Sequence, residues 1–176
     1  MSKFTLPLVA FALLVGVFVV GLQMDPSRIP SPLLEHAAPE FSIPSLQDPT
    51  VMVGSKNYEN QMVLVNIWAT WCPGCRQEHG FLLELAQEGA IPIFGLNWRD
   101  NRAEALRWLQ TLGNPYMATA FDGDGRVGID WGAYGAPETF LVDKHGIVIY
   151  KHITPLNREI WERDFVPLIR AAESKP

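Results

Sequence analysis

Three kinds of hydrophobic pattern run along the chain. The first, residues 4–24, is apolar on every side and holds no charged residue. About 20 such residues are enough to cross a bilayer core, so the pattern predicts an N-terminal transmembrane helix. The second kind is a short run of branched and aromatic residues between polar ones, which predicts buried strands at 62–68 and 91–97. The third is helical spacing. Phe81, Leu82, Leu85 and Ala86 predict a helix over 77–88 that Gly89 stops; Ala105, Trp108, Leu109 and Leu112 predict another, with Asn101 as N-cap, Glu104 at the capping-box position and Gly113 at the end. Strand, helix, strand, helix in this order implies a parallel pair in one sheet.

Around this centre the signals are shorter. Residues 38–44 read as an edge strand and 51–53 as a second short strand. Residues 139–143 and 147–150, joined by Lys144-His145-Gly146, predict a hairpin. A closing helix follows over 157–172, with Ile160, Trp161, Phe165, Leu168 and Ile169 on its apolar face and a bend at Pro167. Residues 117–134 show no clear period. Their Asp122-Gly123-Asp124-Gly125 resembles the opening of a calcium loop, but the closing Glu is missing and the stretch reads as a turn.

Composition refines the layout. A chain of 176 residues, 48% hydrophobic and 19% charged, suits one globular domain plus an appendage. Lys3 precedes the apolar segment and no small-residue cleavage site follows it, so an uncleaved anchor is expected, with the N-terminus cytoplasmic and the rest on the other side. Pro26, Pro30 and Pro32 make the next stretch an extended, semi-stiff spacer. The expected organisation is an anchor at 1–24, a linker at 25–38 and a folded domain at 39–176. A net charge of -5 argues against nucleic acid as partner.

The chemistry lies in Trp71-Cys72-Pro73-Gly74-Cys75, between the 62–68 strand and the following helix; these are the only cysteines. Cys72 falls at the helix N-terminus, where free amides and the dipole favour an anion and should lower a thiol pKa. Pro73 fits the first turn because its missing N–H costs nothing there. The pattern implies thiol-disulfide exchange through a mixed disulfide: Cys72 attacks, and Cys75, further in and expected to be less exposed, resolves. A structural zinc site wants about four ligands and no second pair exists. Haem attachment wants His after the second cysteine, where this chain has Arg76. A purely structural disulfide remains open, although a loop this short stabilises weakly. No metal is called for, and no cofactor beyond the redox-active disulfide itself.

The order of elements around W-C-x-x-C, with Gly135-Ala136-Pro137 before the hairpin, resembles the thioredoxin superfamily over about 39–172. More narrowly, residues 66–79 together with Gly135-Ala136-Pro137-Glu138-Thr139-Phe140 and the N-terminal anchor resemble the CcmG/DsbE family, the cytochrome c biogenesis thiol:disulfide interchange proteins. The resemblance implies an α/β thioredoxin-like fold, a mixed sheet flanked by helices. It implies a reductase held in the bacterial inner membrane with its domain in the periplasm, keeping the haem-site cysteines of apocytochrome c reduced. Its implied partners are apocytochrome c or a CcmH-type thiol protein as recipient and a DsbD/CcdA-type membrane protein as electron donor. Pro137 is then the cis proline facing the disulfide; Ala136 offers backbone to a substrate peptide; Trp71, before the cysteines, and Pro73 and Gly74, between them, also meet the substrate, and the latter two help to set the redox potential.

The resemblance also points to acidic residues, here Glu78 and Glu138. Negative charge beside the sulfurs opposes a thiolate and raises thiol pKa values, and a carboxyl there can move a proton to or from Cys75. Thioredoxin has a buried Asp six residues before its first cysteine; this chain has Asn66, which leaves the role to Glu78 or Glu138. His79 is expected at the surface. Two other functions share these residues: a disulfide oxidant, and a copper chaperone with both thiolates and His79 as ligands. A peroxidase is disfavoured because Cys72 stands where the Thr of a Thr-x-x-Cys motif belongs.

Overall fold

The computed structural model describes residues 5–22 and 33–174. Helix α1, Thr5–Leu22, spans 18 residues with its apolar side chains, Phe11, Leu13 and Val17 among them, exposed. At 1.5 Å per residue it is about 27 Å long, against about 30 Å for a hydrocarbon core. Among the described residues no helix is long and apolar enough to cross a membrane. The span expected over 4–24 and most of the spacer expected over 25–38 extend outside those residues. Residues 33–38, grouped with the spacer above, lie along the folded domain. The Glu35 amide donates to the Val148 carbonyl at 2.8 Å, and Leu33 and Leu34 pack on the core.

The domain is built on a five-stranded sheet. In chain order its strands are β3 (Val63–Trp68), β4 (Ile93–Trp98), β5 (Ala118–Asp122), β6 (Glu138–Val142) and β7 (Val148–Ile153), arranged β5-β4-β3-β6-β7. β3, β4 and β5 run parallel; β6 and β7 are antiparallel to their neighbours. β1 (Ser42–Pro44) and β2 (Met52–Gly54) form a separate antiparallel ribbon, tied to β5 by the Leu46 amide on the Thr119 carbonyl at 2.8 Å. The mixed sheet expected from the sequence is present. β3 lies at its centre with every residue buried, as its unbroken apolar run requires.

Side chains alternate across the sheet, and the two faces carry different cores. On one face Leu64, Trp68 and Leu141 pack against α2 (Pro73–Glu88), α3 (Arg102–Leu112) and the C-terminal helix through Leu82, Leu85, Trp108 and Phe165. On the other, Val65, Ile67, Phe94 and Phe140 meet Val53, Tyr58, Trp131 and Val127 of the short helix α4 (Arg126–Asp130). The sides of the cores therefore assign Asn66 and Thr139 to the α2 face and Glu138, paired in register with Ile67, to the other.

Three local features follow from single residues. Gly89 closes α2 in the left-handed conformation, φ 62°. The unread stretch 117–134 contains β5 and α4, and Asp122 accepts from the Val127 and Gly128 amides at 3.3 and 2.8 Å, which starts α4 in place of a side-chain cap. The closing helix has three pieces: α5 (Arg158–Ile160), a π turn at Trp161–Phe165 and α6 (Val166–Glu173). Pro167 has no N–H and crowds the preceding turn, so the π turn just before it replaces the expected smooth bend.

Candidate active site

β3 and β4 run parallel, so the loops leaving them emerge side by side at one edge. The first carries the cysteines. Its backbone is gripped by the second: Asp100 accepts from the Thr70 amide at 2.7 Å and the Thr70 hydroxyl at 2.5 Å, and Asn97 Nδ2 donates to the same carboxylate at 2.8 Å. The half-exposed Trp71 donates its indole N–H to the Arg99 carbonyl at 3.0 Å and lies against Trp98. Asp100 and Arg99 were not singled out in the sequence; the parallel pairing of the two strands was the signal that could have found them.

Cys72 and Cys75 form a disulfide. Cys72 is the N-cap of α2, and its Sγ accepts the Cys75 N–H at 2.9 Å. An anionic sulfur at that place would receive the same amide and the positive end of the helix. The two residues are 2% and 3% exposed, so the expectation that Cys75 is the less exposed is corrected. What separates them is position: Cys72 is on the cap, Cys75 inside the first turn, and Cys75 packs in the α2-side core.

Pro137 faces this turn. The Ala136-Pro137 bond is cis. A Cβ placed on Gly74 would lie 2.8 Å from Pro137 Cδ and 3.1 Å from Pro155 Cγ, closer than side-chain carbons normally come. Only glycine therefore lets both prolines close over the space between the cysteines. Pro155 is an active-site residue the sequence reading missed.

Glu78 lies one turn beyond Cys75 on α2 and is 1% exposed. Its Oε1 accepts from Asn66 Nδ2 at 2.8 Å and its Oε2 from the Leu156 amide at 2.8 Å. Asn66 also donates to Thr139 Oγ1 at 3.1 Å and accepts from the Tyr116 hydroxyl at 2.9 Å. Tyr116 stacks on Trp68. Burial pushes the Glu78 carboxyl up to about 7, against the downward pull of the Leu156 and Asn66 hydrogen bonds. The Tyr116 hydroxyl rises as well, through burial and then the Glu78 charge. Asn66 thus donates to a carboxylate from the place where thioredoxin carries one, and Glu78 supplies a proton-binding group that changes state near neutral pH.

Glu138 is placed differently. It is also 1% exposed, but it projects from the sheet face opposite Asn66 and Thr139. The expectation that it sits close to the sulfurs is corrected by the phase of β6, which starts at Glu138 with Phe140 and Val142 on the same far face. Its Oε1 accepts from the Tyr134 and Gly135 amides at 2.8 and 3.2 Å, and its Oε2 is 2.9 Å from Lys151 Nζ.

His79 is buried, not at the surface. Trp108 Nε1–H donates to its Nδ1 at 3.2 Å, which leaves the ring proton on Nε2 to donate to the Gly113 carbonyl at 3.0 Å. Burial lowers its pKa. Both nitrogens are thus engaged, and the ligand that a copper site would need is committed elsewhere. Among the described residues no group of three or more His, Cys, Asp or Glu is placed to hold a metal.

A disulfide across the first turn of a helix, a cis proline against it and a buried acid one turn behind it define a thioredoxin-fold thiol:disulfide oxidoreductase. Comparison with known proteins narrows this. The Redoxin family model matches residues 34–166. The chain is 46% identical over 164 residues to the thiol:disulfide interchange protein DsbE of Allochromatium vinosum, covering 93% of this chain and 91% of that one. It is 45% identical over 145 residues to DsbE of Escherichia coli K12, with 82% and 78% covered. Among solved structures it is similar to a DsbE-type interchange protein from Chlorobium tepidum, TM-score 0.64 at 26% identity over 77% of this chain and 94% of that one. A secreted thiol-disulfide isomerase from Corynebacterium glutamicum shares the fold, TM-score 0.66 at 24% identity over 76% and 85%. The chain belongs to the CcmG/DsbE family of thiol:disulfide interchange proteins.

Proposed function

We propose that the protein works as a membrane-anchored reductant of protein disulfides in cytochrome c maturation, its domain in the periplasm. The observation that carries the reading is the buried Glu78, hydrogen-bonded to Asn66 and the Leu156 amide one turn behind Cys75. A carboxylate there disfavours a second negative charge on either sulfur, which weakens the thiolate and favours the disulfide in the protein. A protein that prefers its own disulfide passes electrons onward.

In the forward reaction the Cys72 thiolate attacks one sulfur of the substrate disulfide. A mixed disulfide forms and the other substrate sulfur leaves as a thiolate. Cys75 then gives up its proton, with Glu78 as the group able to accept it near neutral pH, and its sulfur attacks Cys72 Sγ. The Cys72–Cys75 disulfide closes and the substrate leaves with both sulfurs reduced. The backbone of Ala136, beside Pro137, pairs with the substrate chain; Trp71, Pro73 and Gly74 line the approach. The oxidised pair is recharged by a DsbD/CcdA-type membrane donor, and the recipient is apocytochrome c or a CcmH-type partner. Residues 1–24 supply the anchor. The uncharged apolar run over 4–24 and membership of the family support that part of the reading.

The test is the reduction potential of the Cys72/Cys75 pair, by equilibration against glutathione or a thioredoxin of known potential. A value of roughly -200 to -270 mV, the range of glutaredoxins and thioredoxin, is expected. A value near about -120 mV, that of a strong oxidant, would make the protein a disulfide donor and overturn the reading.

A further inference from the structure

The residues just ahead of Pro137 form a loop, 131–135, whose first half is fixed by the core and by α4: Trp131 is buried on the far face, Ala133 packs there, and the Gly132 and Ala133 amides donate to the Ile129 and Gly128 carbonyls at 2.8 and 2.9 Å. Tyr134 is largely exposed, and Gly132 takes a left-handed φ of 62°. What holds the Gly132 carbonyl and the 134–135 end comes from below, on the sheet face away from the sulfurs. Lys151 of β7 is inside the protein, its side chain 2% exposed. Its Nζ donates to the Gly132 carbonyl at 2.8 Å, pairs with Glu138 Oε2 at 2.9 Å and lies 4.8 and 5.1 Å from the centres of the Tyr134 and Phe140 rings. Through Glu138 the same pair reaches the Tyr134 and Gly135 amides. Three backbone groups of one loop, at 132, 134 and 135, thus end on one buried ion pair.

A buried ion pair is weak evidence for stability, because two hydrophobic residues of the same volume would often serve as well or better. Its retention at this place asks for a use that apolar residues could not supply, and backbone groups of an exposed loop can be held only by polar partners. We propose that Lys151 is a positioning residue for substrate docking: with Glu138 it fixes the 132–135 loop, and so sets the line along which Ala136 presents its backbone to a peptide. It does not act on the sulfurs, from which the sheet separates it. The inference rests on the reading of Ala136 as the substrate-pairing edge.

The test compares two substrates on the full-length protein. One is a cyclic peptide disulfide with extended backbone on both sides of its cysteines, given to the reduced protein; the other is reduced dithiothreitol, which has no backbone to dock, given to the oxidised protein. Lys151→Met is expected to raise KM for the peptide by about tenfold or more, the scale on which small misplacements of a docking element act. Exchange with dithiothreitol and the reduction potential stay within about twofold and unshifted, and Lys151→Arg restores much of the peptide KM. A folded Lys151→Met protein with unchanged peptide KM overturns the proposal, and so does one in which both substrates slow equally. If the Met variant does not fold, Lys151→Met combined with Glu138→Gln, which leaves no unpaired buried charge, carries the same comparison. One prediction needs no variant: the Tyr134 and Gly135 amides, although in an exposed loop, exchange slowly with solvent, and rapid exchange of both overturns the proposal. Failure of the underlying reading looks different, because the wild type would then exchange with dithiothreitol and fail to reduce the peptide.

Discussion

Glu78 and Glu138 are buried on opposite faces of the sheet, and the two are kept there by opposite means. Glu78, on the cysteine side, has hydrogen-bond donors and, among the described residues, no cation; Glu138, on the far side, has Lys151 at 2.9 Å. Without a cation, burial makes the Glu78 carboxyl hold its proton to about pH 7, as the proposed proton transfer from Cys75 needs. With one, Glu138 becomes an ionic strut that organises backbone. The residue types and the burial are the same. The difference in role comes wholly from the partner, so neither acidity nor burial alone identifies a catalytic acid.

The comparison is most directly broken by removing the partners. Lys151→Met leaves Glu138 buried and unpaired and should cost about 3–5 kcal/mol of unfolding free energy, measured by guanidinium denaturation of the oxidised protein. Glu78→Gln, which removes a charge that has no counterion, should cost far less at pH 7.5. Equal losses would erase the distinction between the two faces.

The pH dependence sharpens it further. The Glu78 carboxyl titrates at about 7 in the folded chain and near 4.5 when exposed. Between those values the folded state binds the extra proton, so this group's stabilising contribution is present below about pH 4.5 and is lost as pH rises to about 7. The loss is on the order of 3 kcal/mol. Oxidised wild type compared with Glu78→Gln by denaturation across that window should show the slope only in the wild type, and parallel curves would remove Glu78 as its source.

Smaller effects belong to the turn itself. Gly74→Ala, with its Cβ driven against Pro137 and Pro155, should cost about 1–3 kcal/mol and slow exchange with protein and small disulfides alike. A reaction rate unchanged in the folded variant would mean that the prolines yield. Last, Glu78→Gln should lower the Cys72 thiol pKa by on the order of one unit, followed by thiolate absorbance, because one nearby negative charge is gone. No change would detach Glu78 from the sulfurs.

The cysteine turn was legible because its signals are local: the 62–68 run, Pro73 in the first helical turn, and apolar spacing up to Gly89. The cis proline and Glu78 were legible only through resemblance. Three things were not readable. Residues 117–134 hold β5 and α4, five residues each, and α4 is started by a side chain outside it, so no period had room to show. The face on which Glu138 sits depends on which residue begins β6, a matter of register with β3 that one strand's sequence does not contain. His79 was misplaced for a related reason: its partners, Trp108 and Gly113, lie on another element.

The grip on Glu78 and Asn66 is spread very widely along the chain. Asn66 meets Tyr116 across 50 residues and Thr139 across 73, and Glu78 meets the Leu156 amide across 78. A chain is made from its N-terminus onward, and contacts so far apart form late and slowly. Both thiols therefore emerge well before the groups that tune them. A partly made molecule carries two ordinary cysteines, and the surroundings of the couple are complete only when the last hairpin and the turn after it have formed.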